Sequence, residues 1–98
     1  MAPDRAKTLE ILEKIYPHLN ERYGITKIGI FGPVARGEAI DKGVVNIVYE
    51  MAKQNLMTVA RFKDELEKAL NSSVDLVGYR PRMNPDLKKK IDNEGIYI

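Results

Sequence analysis

Two short apolar segments separated by a glycine-containing loop constrain the fold of this chain most strongly. Ile25–Phe31 is apolar and rich in isoleucine, and Gly32-Pro33 follows it at once, which predicts a strand that runs into a tight loop. Residues 44–49 are rich in valine and isoleucine and predict a second strand. We expect the two strands to lie side by side, with any chemistry of the chain in the loop between them.

The segment before the first strand has the apolar period of a helix. Leucine, isoleucine and tyrosine recur there at three- and four-residue steps from Leu9 to Tyr23, and Gly24 ends the pattern. Pro17 lies within this segment, and proline lacks the amide hydrogen while its ring clashes with the preceding turn. We therefore expect a kink or a restart of the helix at Pro17.

Three further elements follow the second strand. Apolar residues on one face predict a helix from Thr58, its expected N-cap, to the break at residues 71–73. Residues 74–77 predict a third strand, and residues 85–93 predict a short basic helix capped by Asn84. The order helix, strand, strand, helix, strand, helix indicates an α+β (mixed α/β) fold, a small mixed sheet with helices packed on one side.

Length and charge limit the classes of function. A chain of 98 residues with 44% hydrophobic and 31% charged residues suits a single domain over residues 1–98. Sixteen basic and 14 acidic side chains are mostly interleaved, so nucleic acid is not the expected partner. The chain has no cysteine for a disulfide or thiolate metal site, and no long apolar run for a membrane span. We expect a cytoplasmic protein, and its small size is compatible with a homo-oligomer.

The loop and its flanking strands resemble a known family. Phe31-Gly32, the run Ala35-Arg36-Gly37-Glu38-Ala39, the strand around Asp75 and the terminal residues 96–98 follow the pattern of minimal nucleotidyltransferases of the DNA polymerase β superfamily. The resemblance extends over nearly the whole chain and implies a nucleotidyltransferase fold. It also implies a set of nucleotide-binding positions in the loop, namely Gly32, Pro33, Arg36, Gly37 and Glu38.

In such enzymes, the resemblance implies, an Asp-x-Asp pair on one strand and a third Asp on a later strand hold two Mg²⁺ ions that align a nucleoside triphosphate for transfer. The positions of the pair are Val44 and Asn46 here, and Pro33 stands where the family has a serine. Only Asp75 keeps its carboxylate, as a vestige of the catalytic set. Valine has no ligating atom and asparagine offers one neutral oxygen, so we expect no metal site and no cofactor.

Three functions remain open on these residues. The first is a binding module that has lost nucleotidyl transfer, and the resemblance implies an antitoxin-like partner of a small helical HEPN-type protein. The second is an active or residual nucleotidyltransferase that uses Mg²⁺ and ATP to modify a protein hydroxyl. The third is a residual nucleotide binder without transfer.

Other polar residues have ordinary structural interpretations as well as functional ones. Arg36 and Glu38 would either contact a nucleotide or pair with each other to fix the loop. The lone His18 is typical of a structural or solvated histidine. Asp41 would replace a missing ligand only from a turn, and turn formation explains it better. The basic cluster of residues 80, 82 and 88–90 is best interpreted as a solvated surface.

Overall fold

The computed structural model describes residues 4–38 and 44–98, and within these ranges three helices and one four-stranded mixed sheet are present. This architecture confirms the predicted α+β class. Among the described residues, no helix has the length and apolar character needed to cross a bilayer. In chain order the elements are α1 (Arg5–Tyr23), β1 (Ile25–Phe31), β2 (Val44–Met51), α2 (Leu56–Leu70), β3 (Ser73–Gly78), α3 (Pro85–Glu94) and β4 (Ile96–Tyr97).

The sheet has the strand order β3-β2-β1-β4. Strand β1 pairs antiparallel with β2, as expected from their closeness in sequence, and also pairs antiparallel with β4. Strands β2 and β3 are parallel, and α2 makes the crossover that a parallel pair requires. The loop of residues 32–38 leaves the sheet from the end of the central strand β1.

Helices α1 and α2 pack on one face of the sheet, as predicted, and enclose the larger core. The alternation of β2 directs Val45, Ile47 and Tyr49 into this core. Its other members come from β1, from the two helices, from β3 and from the loop. Burial of these apolar side chains is the main driving force for folding.

Helix α3 lies against the opposite face of the sheet. Its Ile91 forms a second, smaller buried cluster with Phe31 and Val48. Leu87 and Tyr97 pack against the same cluster. The short α3 therefore adds cover on a face that the expected one-sided arrangement leaves bare, and it does so around Val48, four residues from the start of β2.

Helix α1 is one helix through Pro17, so of the two outcomes expected there, a kink or a restart, the restart does not occur. Leu12 and Leu19, one on each side of Pro17, are both fully buried in the same core. Packing of both halves against one surface holds the helix together although the proline cannot donate a backbone hydrogen bond. Gly24, in a left-handed conformation with φ 71°, ends the helix.

Helix α2 begins one turn earlier than the predicted start at Thr58. Asn55 is the N-cap, and its side-chain oxygen accepts hydrogen bonds from the amides of Met57 and Thr58 at 3.0 and 3.2 Å. Leu56 and Met57 remain 84% and 73% exposed. The apolar period therefore gave no sign of this first turn, because its apolar side chains do not face the core.

Strand β4 had no counterpart in the sequence-based assignment. Its two residues, Ile96 and Tyr97, pair with Ile30 and Gly29 of β1. The pairing brings the two strands very close, since a Cβ atom on Gly29 would lie 2.6 Å from the carbonyl oxygen of Ile96. The absence of a side chain at Gly29 thus allows β4 to pair with β1 at this distance.

We predict that Gly29→Ala lowers the free energy of unfolding by about 1–3 kcal/mol, because the added methyl must displace β4 backbone. Gly78→Ala is the matched control, also in a strand, where the nearest atom is the hydroxyl of Tyr49 at 3.2 Å. Urea unfolding of both variants measures the difference. Equal losses in the two variants would contradict this view of the β1–β4 contact.

Candidate functional site

The loop after β1 is a compact turn held by its own backbone. Gly32 has φ 75°, which is unfavourable for side chains with a Cβ atom. The amides of Arg36, Gly37 and Glu38 donate to the carbonyls of Gly32, Val34 and Pro33, respectively, at 3.0–3.1 Å.

Two of the loop side chains anchor it in the protein. Val34 and Ala35 are buried in the larger core. Arg5, at the start of α1, donates from Nη1 to the carbonyl oxygen of Ala35 at 3.3 Å. The loop is therefore held by apolar packing in the core and by a hydrogen bond from α1.

The side chain of Asn46 lies directly against Gly32. Asn46 pairs with Phe31 across β1 and β2, and a Cβ atom on Gly32 would come within 2.3 Å of Asn46 Nδ2. Glycine is required at position 32 both for the positive φ and for this contact.

The positions predicted from the family pattern come together at one end of the sheet. In the parallel register of β2 and β3, Asn46 is the partner of Asp75, and Val44 is the partner of Ser73. Side chains two residues apart on a strand share a face, so Val44, Asn46 and Asp75 lie on the same side of the sheet as Val48. Val44 is 46% exposed, and Asp75 is also exposed.

The ligand chemistry of this cluster is poor for a divalent cation. It offers one carboxylate from Asp75 and one amide oxygen from Asn46, whereas Val44 offers none. Within residues 4–38 and 44–98, no group of three or more His, Cys, Asp or Glu side chains is placed to hold a metal ion. Ala39, which belongs to the family pattern, and Asp41, which was considered as a replacement metal ligand, lie outside the described residues.

Arg36 joins the loop to the C-terminal end of α3. Its Nε donates to Glu38 Oε2 at 2.6 Å, and its Nη1 donates to Glu94 Oε1 at 2.5 Å. The hydrogen bond from Arg36 lowers the pKa of the Glu38 carboxyl, and the hydrogen bond to Glu38 is the main cause that raises the pKa of Arg36. This geometry favours the pairing interpretation of Arg36 and Glu38, because the guanidinium is already bound on two sides.

Glu94 was not recognised from the sequence. It lies 58 positions beyond Arg36, and no local pattern relates the two residues. Their contact follows from the way α3 crosses the sheet and ends beside the loop.

The other polar candidates occupy structural or solvated positions. His18 Nε2 lies 3.1 Å from Glu65 Oε1, so it bridges α1 and α2. Lys88 lies 3.8 Å from Asp92, one turn further along α3. The remaining side chains of the basic cluster are exposed, and they are Arg80, Arg82, Lys89 and Lys90.

Solved structures with the same architecture define the class of protein. One, described as a "putative minimal nucleotidyltransferase", has a TM-score of 0.76 and 30% sequence identity, with 96% of this chain and 95% of that chain covered. An MntA–HepT toxin–antitoxin structure has a TM-score of 0.65 at 21% identity, with 90% and 68% covered, and supports the fold alone. The fold is that of a minimal nucleotidyltransferase.

Sequence relatives give the family. A "putative protein adenylyltransferase" of Methanocaldococcus jannaschii is 33% identical over 92 residues, 91% of this chain and 92% of the relative. The protein adenylyltransferase MntA of Thermococcus cleftensis is 31% identical over 96 residues, 93% of this chain and 96% of that protein. No family model matches the chain. The chain belongs to the minimal nucleotidyltransferase family that these relatives represent.

We predict that Arg36→Met destabilises the protein more at neutral than at acidic pH. Because Arg36 lowers the pKa of Glu38 in the folded state, the stabilisation is present above the unfolded pKa near 4.5 and is lost as pH falls through the lower, folded value. Urea midpoints measured from about pH 7 to about pH 3 should show the deficit of Arg36→Met shrinking.

The matched control is Arg61→Met, since Arg61 is exposed and, among the described residues, takes part in no ion pair. Its deficit should be small at every pH. A deficit of Arg36→Met that stays constant down to the lowest pH would show that the Arg36 pairs do not hold the loop.

Proposed function

We propose that this protein has lost metal-dependent nucleotidyl transfer and acts as a binding module, the antitoxin-like partner of a HEPN-type protein. The observation that carries the proposal is the composition of the sheet end, where Asp75 stands beside Asn46 and Val44 and not beside two further carboxylates. The fold is kept, and the groups that would gather metal ions are largely replaced.

Nucleotidyl transfer depends most on the carboxylates that hold Mg²⁺, and positions 44 and 46 lack them. Phosphoryl and nucleotidyl transfer depend on positioning and on cations that neutralise the phosphates, and Mg²⁺ is held in such sites chiefly by carboxylates. Each tenfold loss of rate corresponds to about 1.4 kcal/mol of transition-state stabilisation. One carboxylate with one neutral amide oxygen does not replace a three-carboxylate, two-metal site.

The loop is also a weak cradle for phosphate. Pro33 supplies neither a hydroxyl nor a backbone N–H. The amides of Arg36, Gly37 and Glu38 already donate to carbonyls within the loop. The Arg36 guanidinium is held by two carboxylates, so few of the loop's donors are left for a triphosphate.

The partner is proposed by analogy with structural neighbours. One is named as a toxin–antitoxin complex, MntA–HepT, and another as a tri-AMPylated Shewanella oneidensis HEPN toxin in complex with an MNT antitoxin. The kept fold provides the same kind of scaffold for protein contact. A homo-oligomer stays a prediction, and nucleic acid is not expected as a partner.

The alternative function is transfer of a nucleotidyl group from ATP to a protein hydroxyl, with Mg²⁺. The names of the relatives favour it, since they are called protein adenylyltransferases. Labelled ATP, Mg²⁺ or Mn²⁺ and a HEPN-type protein encoded beside this chain provide the test. Label transfer that disappears in Asp75→Ala would overturn our proposal, and absence of transfer together with a stable complex would support it.

We predict that a HEPN-type protein is encoded beside this chain and that the two purified proteins form a stable complex without added nucleotide or metal. Co-elution in size-exclusion chromatography, repeated in the presence of a chelator, is the measurement. Separate elution of the two proteins at micromolar concentration would contradict the binding-module proposal.

We also predict that the double substitution Val44→Asp and Asn46→Asp creates Mg²⁺ binding that the natural chain lacks. Three carboxylates would then share one sheet end, repel each other without metal and be stabilised with it. For a domain of this size, about 1 kcal/mol of Mg²⁺-dependent stabilisation raises Tm by about 4–8 °C.

The control for this experiment adds Asp75→Asn to the double variant, which should remove most of the Mg²⁺-dependent shift. Calorimetric titration with Mg²⁺ measures the same change independently. A natural chain that already responds to Mg²⁺ as strongly as the double variant would argue for the enzyme.

A further inference from the structure

We propose that the outer edge of β3 pairs antiparallel with the β3 edge of a second copy of this chain, so that the two four-stranded sheets form one continuous sheet. The contact would involve the backbone of residues 74–78 and one side of α2. It does not depend on the proposed function, because it needs neither a nucleotide nor a HEPN-type protein.

Strand β3 lies at the edge of the sheet. It stands at one end of the order β3-β2-β1-β4 and pairs with β2, and in the part of the chain that the structure describes no strand lies on its other side. An edge strand presents a row of backbone N–H and C=O groups that another strand can bind. Two hydrogen bonds determine which residues of β3 present these groups.

Alternate residues of β3 direct their backbone groups towards β2 and towards the outer edge. In a strand, the N–H and C=O of one residue point to one side, and those of the next residue point to the other. The amide of Tyr79 donates to a β2 carbonyl at 2.9 Å, so the odd-numbered positions face β2. The amide of Val74 instead donates to Glu67 Oε2 of α2 at 2.9 Å. Leu76 and Gly78 therefore present both groups at the outer edge.

This pattern is complementary to itself about a two-fold axis at Leu76. In an antiparallel strand pair, two opposite residues exchange both of their N–H···O=C bonds. Leu76 of one copy would exchange both bonds with Leu76 of the other copy, and the Gly78 amide would donate to the Val74 carbonyl. The amide of Val74 would stay with Glu67, so the pairing leaves the contact between α2 and β3 intact.

The outer edge of β3 lacks the usual features that block strand pairing. Leu76-Val77-Gly78 contains no charged residue and no proline, and the β2–β3 ladder runs without a bulge. Leu76 packs against the larger core and Val77 against the smaller cluster, and both side chains are only partly buried. A neighbouring strand would cover the part of each side chain that is exposed.

One side of α2 is directed towards this edge. Glu67 marks that side, because its carboxylate accepts the hydrogen bond from Val74. The residues at four- and three-residue steps before Glu67 share its side of the helix, and they are Lys63, Ala60 and Leu56. Ala60 and Lys63 are exposed, and Leu56 is 84% exposed. These four residues form a stripe, here called the α2 stripe, with an uncovered apolar end.

Continuous strand pairing would bring the α2 helices of the two copies together. Helix α1 packs against β1 and α2 against β3, and the 3.1 Å contact of His18 with Glu65 joins the two helices on the side of α2 that faces away from the edge. Neighbouring strands are about 4.8 Å apart, so helices above the β2–β3 pairs of the two copies would lie about 10 Å apart, a usual distance for packed helices. The α2 stripe is the side that would face the second copy.

The charges of the α2 stripe favour a second copy as the occupant of the edge. The stripe carries one cation, Lys63, and one anion, Glu67, one turn apart. Two such stripes in antiparallel orientation bring cations next to anions, whereas stripes of one sign would repel each other. The second α2 would also cover the exposed side chain of Leu56. An unrelated extended segment would pair with the strand edge without these two contributions.

The first experiment measures the exchange of backbone amides with solvent by NMR at increasing protein concentration. We expect the amides of Leu76 and Gly78 to exchange fast in dilute protein and slowly in concentrated protein, because only the second copy supplies their acceptors. The amide of Val77, which faces β2, is the matched control and should be protected at every concentration. Sedimentation equilibrium of the same samples should show the molar mass rising from one chain to two.

Two outcomes of this experiment would overturn the inference. The first is fast exchange of Leu76 and Gly78 up to millimolar protein. The second is slow exchange of the same amides in samples whose molar mass is that of one chain.

The second experiment removes the backbone donor with Leu76→Pro. Proline is tolerated in an edge strand where the lost N–H faces outwards, as it does at position 76. We expect this variant to sediment as one chain. Leu76→Ala is the matched control, since it shortens the same side chain and keeps the N–H, and it should still form the dimer. Dimer formation by a folded Leu76→Pro variant would contradict the proposed pairing.

A further pair of variants leaves the strand unchanged and tests the α2 stripe. We expect Leu56→Glu to raise the dimer Kd about tenfold, because it places a carboxylate in the contact between the two α2 helices. Met57→Glu is the matched control, since Met57 is 73% exposed and lies about 100° around the helix from Leu56. It should leave Kd unchanged, and equal effects of the two substitutions would overturn the arrangement.

The HEPN-type protein separates this inference from the proposed function. A chain that stays monomeric alone, and whose Leu76 and Gly78 amides become protected when the HEPN-type protein is added, would overturn the second copy as the occupant of the edge. Absence of any complex with that protein would overturn the proposed function, and the pairing of two β3 edges would still be decided by the chain alone.

Discussion

The parallel pairing of β2 with β3 is the contact on which the candidate site depends. Its register sets Asn46 beside Asp75 and Val44 beside Ser73, so the chemistry of the sheet end follows from which residues fill three strand positions. A shift of one residue would turn these side chains into the core. Val45, Ile47 and Val74, buried in the larger core, prevent such a shift. Core packing therefore fixes the site geometry whether or not the site can hold metal.

The loop beside this site is stabilised in the same way. Val34 and Ala35 anchor it in the core, and Arg36 connects it to Glu38 and Glu94. None of these contacts needs a nucleotide or an ion. A chain with valine at position 44 and asparagine at position 46 can thus keep the fold of a minimal nucleotidyltransferase.

Local patterns predicted most of the elements. Strands β1 to β3 and the helix capped by Asn84 begin within a residue of the expected positions, since period and capping are properties of neighbouring residues. Three features were not predicted from the sequence, because none of them follows from the apolar period of its own segment. The first turn of α2 exposes Leu56 and Met57, α1 passes Pro17 because both its halves are packed, and the two-residue β4 exists only through β1.

The sequence by itself determined which atoms are available: one carboxylate at position 75, an amide at 46, a side chain without ligand atoms at 44 and no hydroxyl at 33. Only the tertiary structure decided that residues 44, 46 and 75 lie together at one end of the sheet. It also decided that Arg36 forms an ion pair with Glu94. Helix α3 covers the sheet around Val48, whereas Val44 stays exposed. The physical reason is the separation along the chain of the residues that determine each property. Ligand chemistry belongs to single side chains, whereas exposure and ion pairing arise from contacts between segments far apart in the chain.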